Sequence, residues 1–175
     1  LTVHPAVLTV TADNQSKVYG AANPVLTGRV VGAQNGDNIT AIYATTATVT
    51  SPVGSYPITP TLVDPSGKLG NYSVTTNAGT LTVNRAMLTV TADPKSRTYG
   101  AANPTLTATI SGFVNGDTQA SAVTGEPALE MAAAAGSNVG PYAIVPALGG
   151  LSAANYSFSF VNGTLDVTPA PLTGT

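Results

Sequence analysis

The chain repeats its own sequence at a fixed spacing. The segment LTVTAD at residues 8–13 returns at residues 88–93, 80 positions later. Two further segments return at the same spacing, YGAANP from 19–24 and NGD from 35–37. Self-similarity of this kind is the signature of a repeat architecture, so we predict two tandem copies of one small domain.

The spacing changes in the second half of each copy. Val53-Gly54 matches Val139-Gly140, and Asn71-Tyr72 matches Asn155-Tyr156. The second copy therefore gains six residues after its NGD segment and loses two later. Because surface loops tolerate insertions and deletions, we expect the difference to fall in loops.

Both ends of the chain align with the same repeat. Residues 1–6 match residues 81–86 and 165–170. No Gly/Ser-rich linker separates the copies, so we expect neighbouring repeats to be partners that lie end to end with little freedom. The predicted division is 1–5 for the last strand of a preceding repeat, 6–85 for repeat 1, 86–169 for repeat 2 and 170–175 for the start of a following repeat.

The chain carries very few charges. Only 8% of its residues are charged and its formal net charge is −2. This composition gives no basic surface for nucleic acid and no long apolar run for membrane insertion by this segment. Cysteine is absent, which excludes disulfides but not export. We expect a monomer.

Alternation of apolar and polar residues predicts strands through most of each copy. In the first copy the predicted strands are 8–12, 25–31, 45–49, 55–63, 72–76 and 81–83. Short helices are predicted at 38–42 and 118–122, with Asp37 and Asp117 as N-caps. Asn77-Ala78-Gly79 and Asn162-Gly163 are predicted to be hairpin turns.

These elements predict a mostly β chain of two tandem small β-rich domains arranged end to end. Each domain is expected to be β-grasp-like, with its one short helix as the crossover. An immunoglobulin-like β-sandwich is the alternative, because the segments around Tyr56 and Tyr72 could form its last strands.

The sequence offers little support for catalysis, and no cofactor or metal is predicted. The single histidine, His4, lies in the segment assigned to another repeat. The carboxylates of Asp13, Asp37 and Asp64 all follow turn-like sequences, where capping and Asx turns are their usual roles. We therefore predict that the chain is not an enzyme.

Tyrosines are the best candidates for a ligand surface. Tyr19 and Tyr99 occupy matched positions, and Tyr43 has no counterpart. Exposed aromatic rings often mark a binding surface, so these three residues are the candidate ligand surface. The interpretation that we favour, however, is that each ring packs beside a strand and keeps its hydroxyl in water. Phe158 and Phe160 alternate along one strand and are predicted to be core residues.

The motifs occur in the same order in both copies. In the first copy they are Tyr19-Gly20, Asn23-Pro24-Val25-Leu26, Asn35-Gly36-Asp37, Val53-Gly54-Ser55-Tyr56, Asn71-Tyr72 and Gly79-Thr80-Leu81-Thr82-Val83. This series is similar to the MBG domain family in its YGX form. The resemblance implies tandem extracellular modules of large bacterial secreted or cell-surface proteins, many of them adhesin-like. It implies no catalytic residues.

Two functions are compatible with these observations. The first is a structural stalk or spacer that projects a functional tip from a bacterial surface. The second is a module in which each repeat binds a glycan or a host surface protein weakly and the array gains strength by avidity. An accessory domain of a secreted enzyme is a more distant third.

Overall fold

The computed structural model describes residues 2–172 and divides after Arg85 into two compact units. Leu1 and residues 173–175, which we assigned to neighbouring repeats, lie outside the described residues. The first unit contains strands β1 (Ala6–Ala12), β2 (Gln15–Val18), β3 (Gly28–Val31), β4 (Thr40–Thr45), β5 (Gly54–Val63), β6 (Tyr72–Asn77) and β7 (Gly79–Asn84), with a 3-10 turn at Leu69–Asn71.

The second unit repeats this order and adds one helical turn. It contains β8 (Ala86–Ala92), β9 (Lys95–Thr98), β10 (Ala108–Ser111), α1 (Gln119–Ala122), β11 (Ala128–Met131), β12 (Gly140–Ala147), β13 (Tyr156–Val161) and β14 (Gly163–Thr168). No helix among residues 2–172 has the length and apolar character needed to cross a membrane.

Each unit consists of two sheets. In the first unit the strand orders are β3-β1-β6 and β2-β7-β5-β4, and in the second they are β10-β8-β13 and β11-β12-β14-β9. Side chains from both sheets meet in the core, where Leu8 and Val10 of β1, Ile58 of β5 and Leu81 of β7 are all 0% exposed. Burying these side chains on both sheets holds the two layers together.

Two parallel segments of chain, β1–β2 and β6–β7, each pass from one sheet into the other. We call the bend between the sheets the corner. β1 runs parallel to β6 with Ala6 opposite Tyr72, and β2 runs parallel to β7 with Gln15 opposite Leu81. The same 66-position offset applies to both pairings, so the first and last strands of the unit change sheets together. The second unit does the same, with β13 along β8 and β14 along β9.

The prediction of a mostly β chain in two tandem units is confirmed. The architecture combines features of both predicted alternatives. The first and last strands of each unit lie side by side in parallel, as in a β-grasp domain. Two sheets enclose the core, as in a β-sandwich. The crossover helix expected in each copy is the part that differs.

The helix predicted at 38–42 is wrong, because residues 40–45 form β4 instead. This segment contains three β-branched residues and one tyrosine, which pack well on a pleated strand, and Ile39 just before it is buried. The second copy does form one helical turn, but its N-cap is Thr118 and not Asp117. Thr118 and Ser121 form a reciprocal capping box there.

The predicted hairpins at 77–79 and 162–163 are also wrong. β6 and β7 are separated only by Ala78, yet they lie in different sheets and do not pair. The glycine marks the corner between sheets and not a reversal of the chain. Of the two phenylalanines predicted to be core, Phe160 is 37% exposed and Phe158 is half-buried, because exposure increases toward the end of the edge strand β13.

One close contact distinguishes the two units. A methyl group added at Gly28 would meet the backbone oxygen of Thr11 and the ring of Tyr43. Tyr43 lies opposite Pro60, and in the second unit Leu129 lies opposite the matching Pro146. The second unit also has Ala108 where the first has Gly28. In the second unit the smaller Leu129 on β11 thus occurs together with the larger Ala108 on β10.

We therefore expect Gly28→Ala to lower the free energy of unfolding of the first unit by about 1–3 kcal/mol through overpacking. The double variant Gly28→Ala/Tyr43→Leu, which copies the pair found in the second unit, should recover the part of that loss that comes from the Tyr43 ring, while the contact with the Thr11 backbone oxygen remains. Chemical denaturation of the three proteins measures both effects. Strictly additive losses would contradict the assigned contact.

Candidate functional site: the loops that carry the repeated motifs

A buried cation lies at the same place in both units. Lys17 of β2 and Arg97 of β9 are only 6% and 7% exposed. The Lys17 ammonium donates hydrogen bonds to the carbonyl oxygens of Ala21, at 3.1 Å, and Thr48, at 2.5 Å. These contacts tie the loop after β4 and the YGAANP turn to the edge strand β2.

Arg97 makes the corresponding contacts with more donors. Its guanidinium donates to the carbonyl oxygen of Ala134 at 2.5 Å, to that of Ala135 at 3.4 Å and to the side-chain oxygen of Asn103 at 2.7 Å. Hydrogen bonds from a charged donor are stronger than neutral ones. The cation therefore acts as a brace between loops, with backbone and amide oxygens as its partners.

The asparagine of the YGAANP segment is a second brace. The side-chain amides of Asn23 and Asn103 each donate to a loop carbonyl at 2.6 Å, that of Ala47 in the first unit and Ala133 in the second. The segment begins with a tight turn, closed by the Ala21 amide on the carbonyl of Val18. The repeated letters of this motif thus have structural roles inside each unit.

The NGD segment forms a two-residue turn whose aspartate binds a buried tyrosine. Asn35 and Gly36 both have positive φ, and the Asp37 amide donates to the Gln34 carbonyl, as in a type I′ turn. The Tyr72 hydroxyl donates to the Asp37 carboxylate at 2.8 Å and accepts from the Gln34 amide at 2.8 Å. In the second unit Tyr156 and Asp117 make the same pair at 2.6 Å.

This environment shifts the acidity of the phenol. The hydrogen bond from the Gln34 backbone lowers the pKa of Tyr72, but burial, the hydrogen bond to Asp37 and the charges of Asp37 and Asp64 together raise that pKa above its ordinary value. The hydroxyl therefore stays protonated and serves as a donor. Asp37 and Asp117 hold these tyrosines and do not cap helices, contrary to our prediction.

Another aspartate of each unit, Asp13 or Asp93, accepts hydrogen bonds at the bend between the two sheets. The Asp13 carboxylate accepts a hydrogen bond from the Thr27 hydroxyl at 2.8 Å, and Gln15 donates to the same hydroxyl oxygen at 3.0 Å. In the second unit Asp93 accepts from Thr107 at 2.5 Å and from Thr109 at 2.8 Å. These bonds connect the corner to the neighbouring strand.

The three tyrosines of the candidate ligand surface have different surroundings. Tyr19 is 7% exposed, whereas Tyr99 is 47% exposed. Tyr43 packs against the cluster that includes Ile58 and Leu81. Burial, followed by the charge of Asp13, raises the pKa of Tyr43. Tyr19 and Tyr43 are thus packed within the first unit, and Tyr99 is the more exposed residue of the matched pair.

The residues considered for acid–base or metal chemistry do not gather in one place. Among residues 2–172, no three His, Asp or Glu side chains come close enough to hold a metal ion. Asp64 accepts a hydrogen bond from the Leu69 amide at 2.8 Å, beside the 3-10 turn. His4 is exposed at the rim of a cavity in the first unit.

That cavity has a volume of about 440 Å³ and a lining that is polar and apolar in equal parts. Its walls come from the start of β1, the NGD turn and the segment before β6. The polar side chains around it are His4, Gln34, Asn35, Asp37, Asn71 and Tyr72. Such a lining offers hydrogen-bond donors and acceptors.

The fold and these loops define a class of protein, a tandem β-sheet repeat module whose repeated motifs brace its own structure. The family model for the MBG domain, YGX type, matches residues 8–82 and 88–166. The chain therefore belongs to the MBG domain family, as the sequence motifs predicted. This is a family of structural repeat modules and not a catalytic family. A comparison with curated proteins finds no match.

The buried cation should be required for the stability of the first unit. Lys17→Met is expected to lower the free energy of unfolding by about 1–3 kcal/mol, because two loop carbonyls lose a charged donor. Lys17→Arg should cost much less, since Arg97 serves the same role in the second unit. Denaturation of both variants measures this difference. An unchanged free energy of unfolding in Lys17→Met would contradict the role of the buried cation.

Asp93 predicts a pH dependence of stability. Hydrogen bonds from Thr107 and Thr109, with the charge of Lys95, lower its pKa against a smaller opposing effect of burial. A folded-state pKa below the unfolded one adds stability above the unfolded pKa, near 3.9, and that stability is lost as pH falls through the folded pKa.

We accordingly expect Asp93→Asn to lower the melting temperature at pH 7, with a difference from the natural chain that shrinks as the pH falls below about 4. Asp166→Asn, at an exposed position on β14, is the charge-matched control and should change melting little. A deficit for Asp93→Asn that is constant from pH 7 to pH 2 would contradict the assigned role.

Proposed function

We propose that this chain is a non-catalytic spacer, a pair of repeats from the stalk of a large bacterial secreted or cell-surface protein of adhesin-like type. Its place of action would be outside the cell, and its immediate partners would be the neighbouring repeats of the same chain. The resemblance in the motifs supports the location, and membership of a repeat family supports the modular role.

The observation that carries the spacer role is the direction of the first and last strands. Because β1–β2 runs parallel to β6–β7, the chain enters the first unit beside Tyr72 and leaves it beside Val18, at opposite ends of the strand pair. Each repeat therefore adds length, which a domain with adjacent termini would not.

The connection between repeats also suits a spacer. Only Arg85 separates the end of β7 from the start of β8. The cation and asparagine braces fix the long loops of each unit to its sheets. A module with short connections and tied loops offers few flexible segments to extracellular proteases.

The alternative is a binding module for glycans or host surface proteins that works by avidity. The cavity around His4 and Asn71 favours this role, because its polar side chains could hydrogen-bond sugar hydroxyls. The exposed ring of Tyr99 would be a second point of contact.

Screening the 175-residue chain on an array of glycans and matrix proteins separates the two roles. The spacer predicts no saturable binding by folded protein and no ligand-dependent rise in melting temperature. Saturable binding that is lost in His4→Ala/Asn71→Ala, but kept in Ser66→Ala, an exposed control that does not line the cavity, would overturn the spacer in favour of the binding module.

A further inference from the structure

We propose that each unit is a tension-bearing module, in which the parallel pair of terminal strands acts as a mechanical clamp. By clamp we mean β1 with β2 against β6 with β7 in the first unit, and β8 with β9 against β13 with β14 in the second. The inference deepens the proposed spacer function, because a tether is under load whenever its two ends are pulled apart.

The strand directions determine how force would act on the clamp. Force along the chain pulls the first strand at Ala6 and the last strand at Asn84, which lie at opposite ends of the pair. The two strands are thus pulled past each other along their length. Sliding requires the hydrogen bonds between them to fail together, whereas an antiparallel hairpin pulled at its open end loses its bonds one at a time.

The clamp is long for such a small unit. Six register pairs join β1 to β6 and four join β2 to β7, and the second unit has the same numbers. One more backbone bond extends each ladder, from the Tyr19 amide to the Asn84 carbonyl and from the Tyr99 amide to the Thr168 carbonyl, both at 2.8 Å.

Side chains add bonds across the same strands. In the first unit the Asn77 amide donates to the Thr11 hydroxyl at 3.2 Å, and the Thr80 backbone amide donates to the Asn14 side chain at 2.8 Å. The second bond lies at the corner, where the ladder changes sheets. In the second unit Ser159 donates to the carbonyl oxygen of Leu88 on the opposing strand at 3.2 Å.

The clamp also covers the core. Its inward side chains include Leu8, Val10, Leu81 and Val83, all at most 1% exposed. Sliding by even one residue would reverse the faces of these side chains and expose the core to water. Because the chain has no cysteine, no disulfide shares the load, and resistance to force must come from these bonds and contacts.

Single-molecule pulling of the first unit in two directions tests the clamp. Handles attached through Pro5→Cys/Asn84→Cys load the parallel strands in shear. Handles attached through Asn38→Cys/Ser66→Cys pull β4 from β5 at the open end of their antiparallel pair, next to Thr40 and Val63. All four positions are exposed, and the absence of natural cysteine makes the attachment unique.

At equal loading rate, we expect the shear direction to require at least about twice the force of the peeling direction, since forced unfolding follows the barrier along the pulled coordinate and not the equilibrium stability. Melting of both variants without load checks that their stabilities match. Equal forces in the two directions, or a lower force in shear, would overturn the clamp.

This outcome is independent of the screen for ligands. Equal unfolding forces in the two directions would contradict the clamp proposal without affecting the proposed spacer function. Saturable ligand binding by folded protein would contradict the proposed spacer function, even if the clamp resists force.

Discussion

The parallel pairing of the first and last strands is the constraint on which each unit depends. These strands keep one register through a corner, so that each sheet contains one pairing between the same two segments of chain. This arrangement places the core residues of both layers on shared strands and puts the chain entry and exit at opposite ends. The remaining strands, β3, β4 and β5, complete the two sheets from their sides.

Few charges are present, and the structure uses several of them as internal braces. Lys17 and Arg97 are buried with oxygen partners from loops, and Asp37 and Asp117 hold buried tyrosines. An unpaired buried cation would be costly, so these loops must close around it for the unit to be stable. The repeated motifs thus have structural roles within each unit.

The sequence was sufficient to predict the repeats, the mostly β class and most strands, because periodic alternation and self-similarity are local signals. It failed where a local signal had two structural meanings. Residues 77–79 have the composition of a hairpin turn but form the corner between sheets. β2 was missed because Lys17 points inward, which breaks the expected alternation. The cation and tyrosine braces depend on contacts between residues more than 30 positions apart, which no local pattern displays.

If each unit depends on the pairing of its terminal strands, these strands should separate only when the whole unit unfolds, and native-state hydrogen exchange tests this most directly. Amides in the ladders between β1 and β6 and between β2 and β7, with their counterparts in the second unit, should exchange slowest and only through global unfolding. Amides in the β4–β5 pairing should open earlier through local fluctuation. Slowest exchange in β4 and β5, with early opening of β1 and β7, would contradict the account.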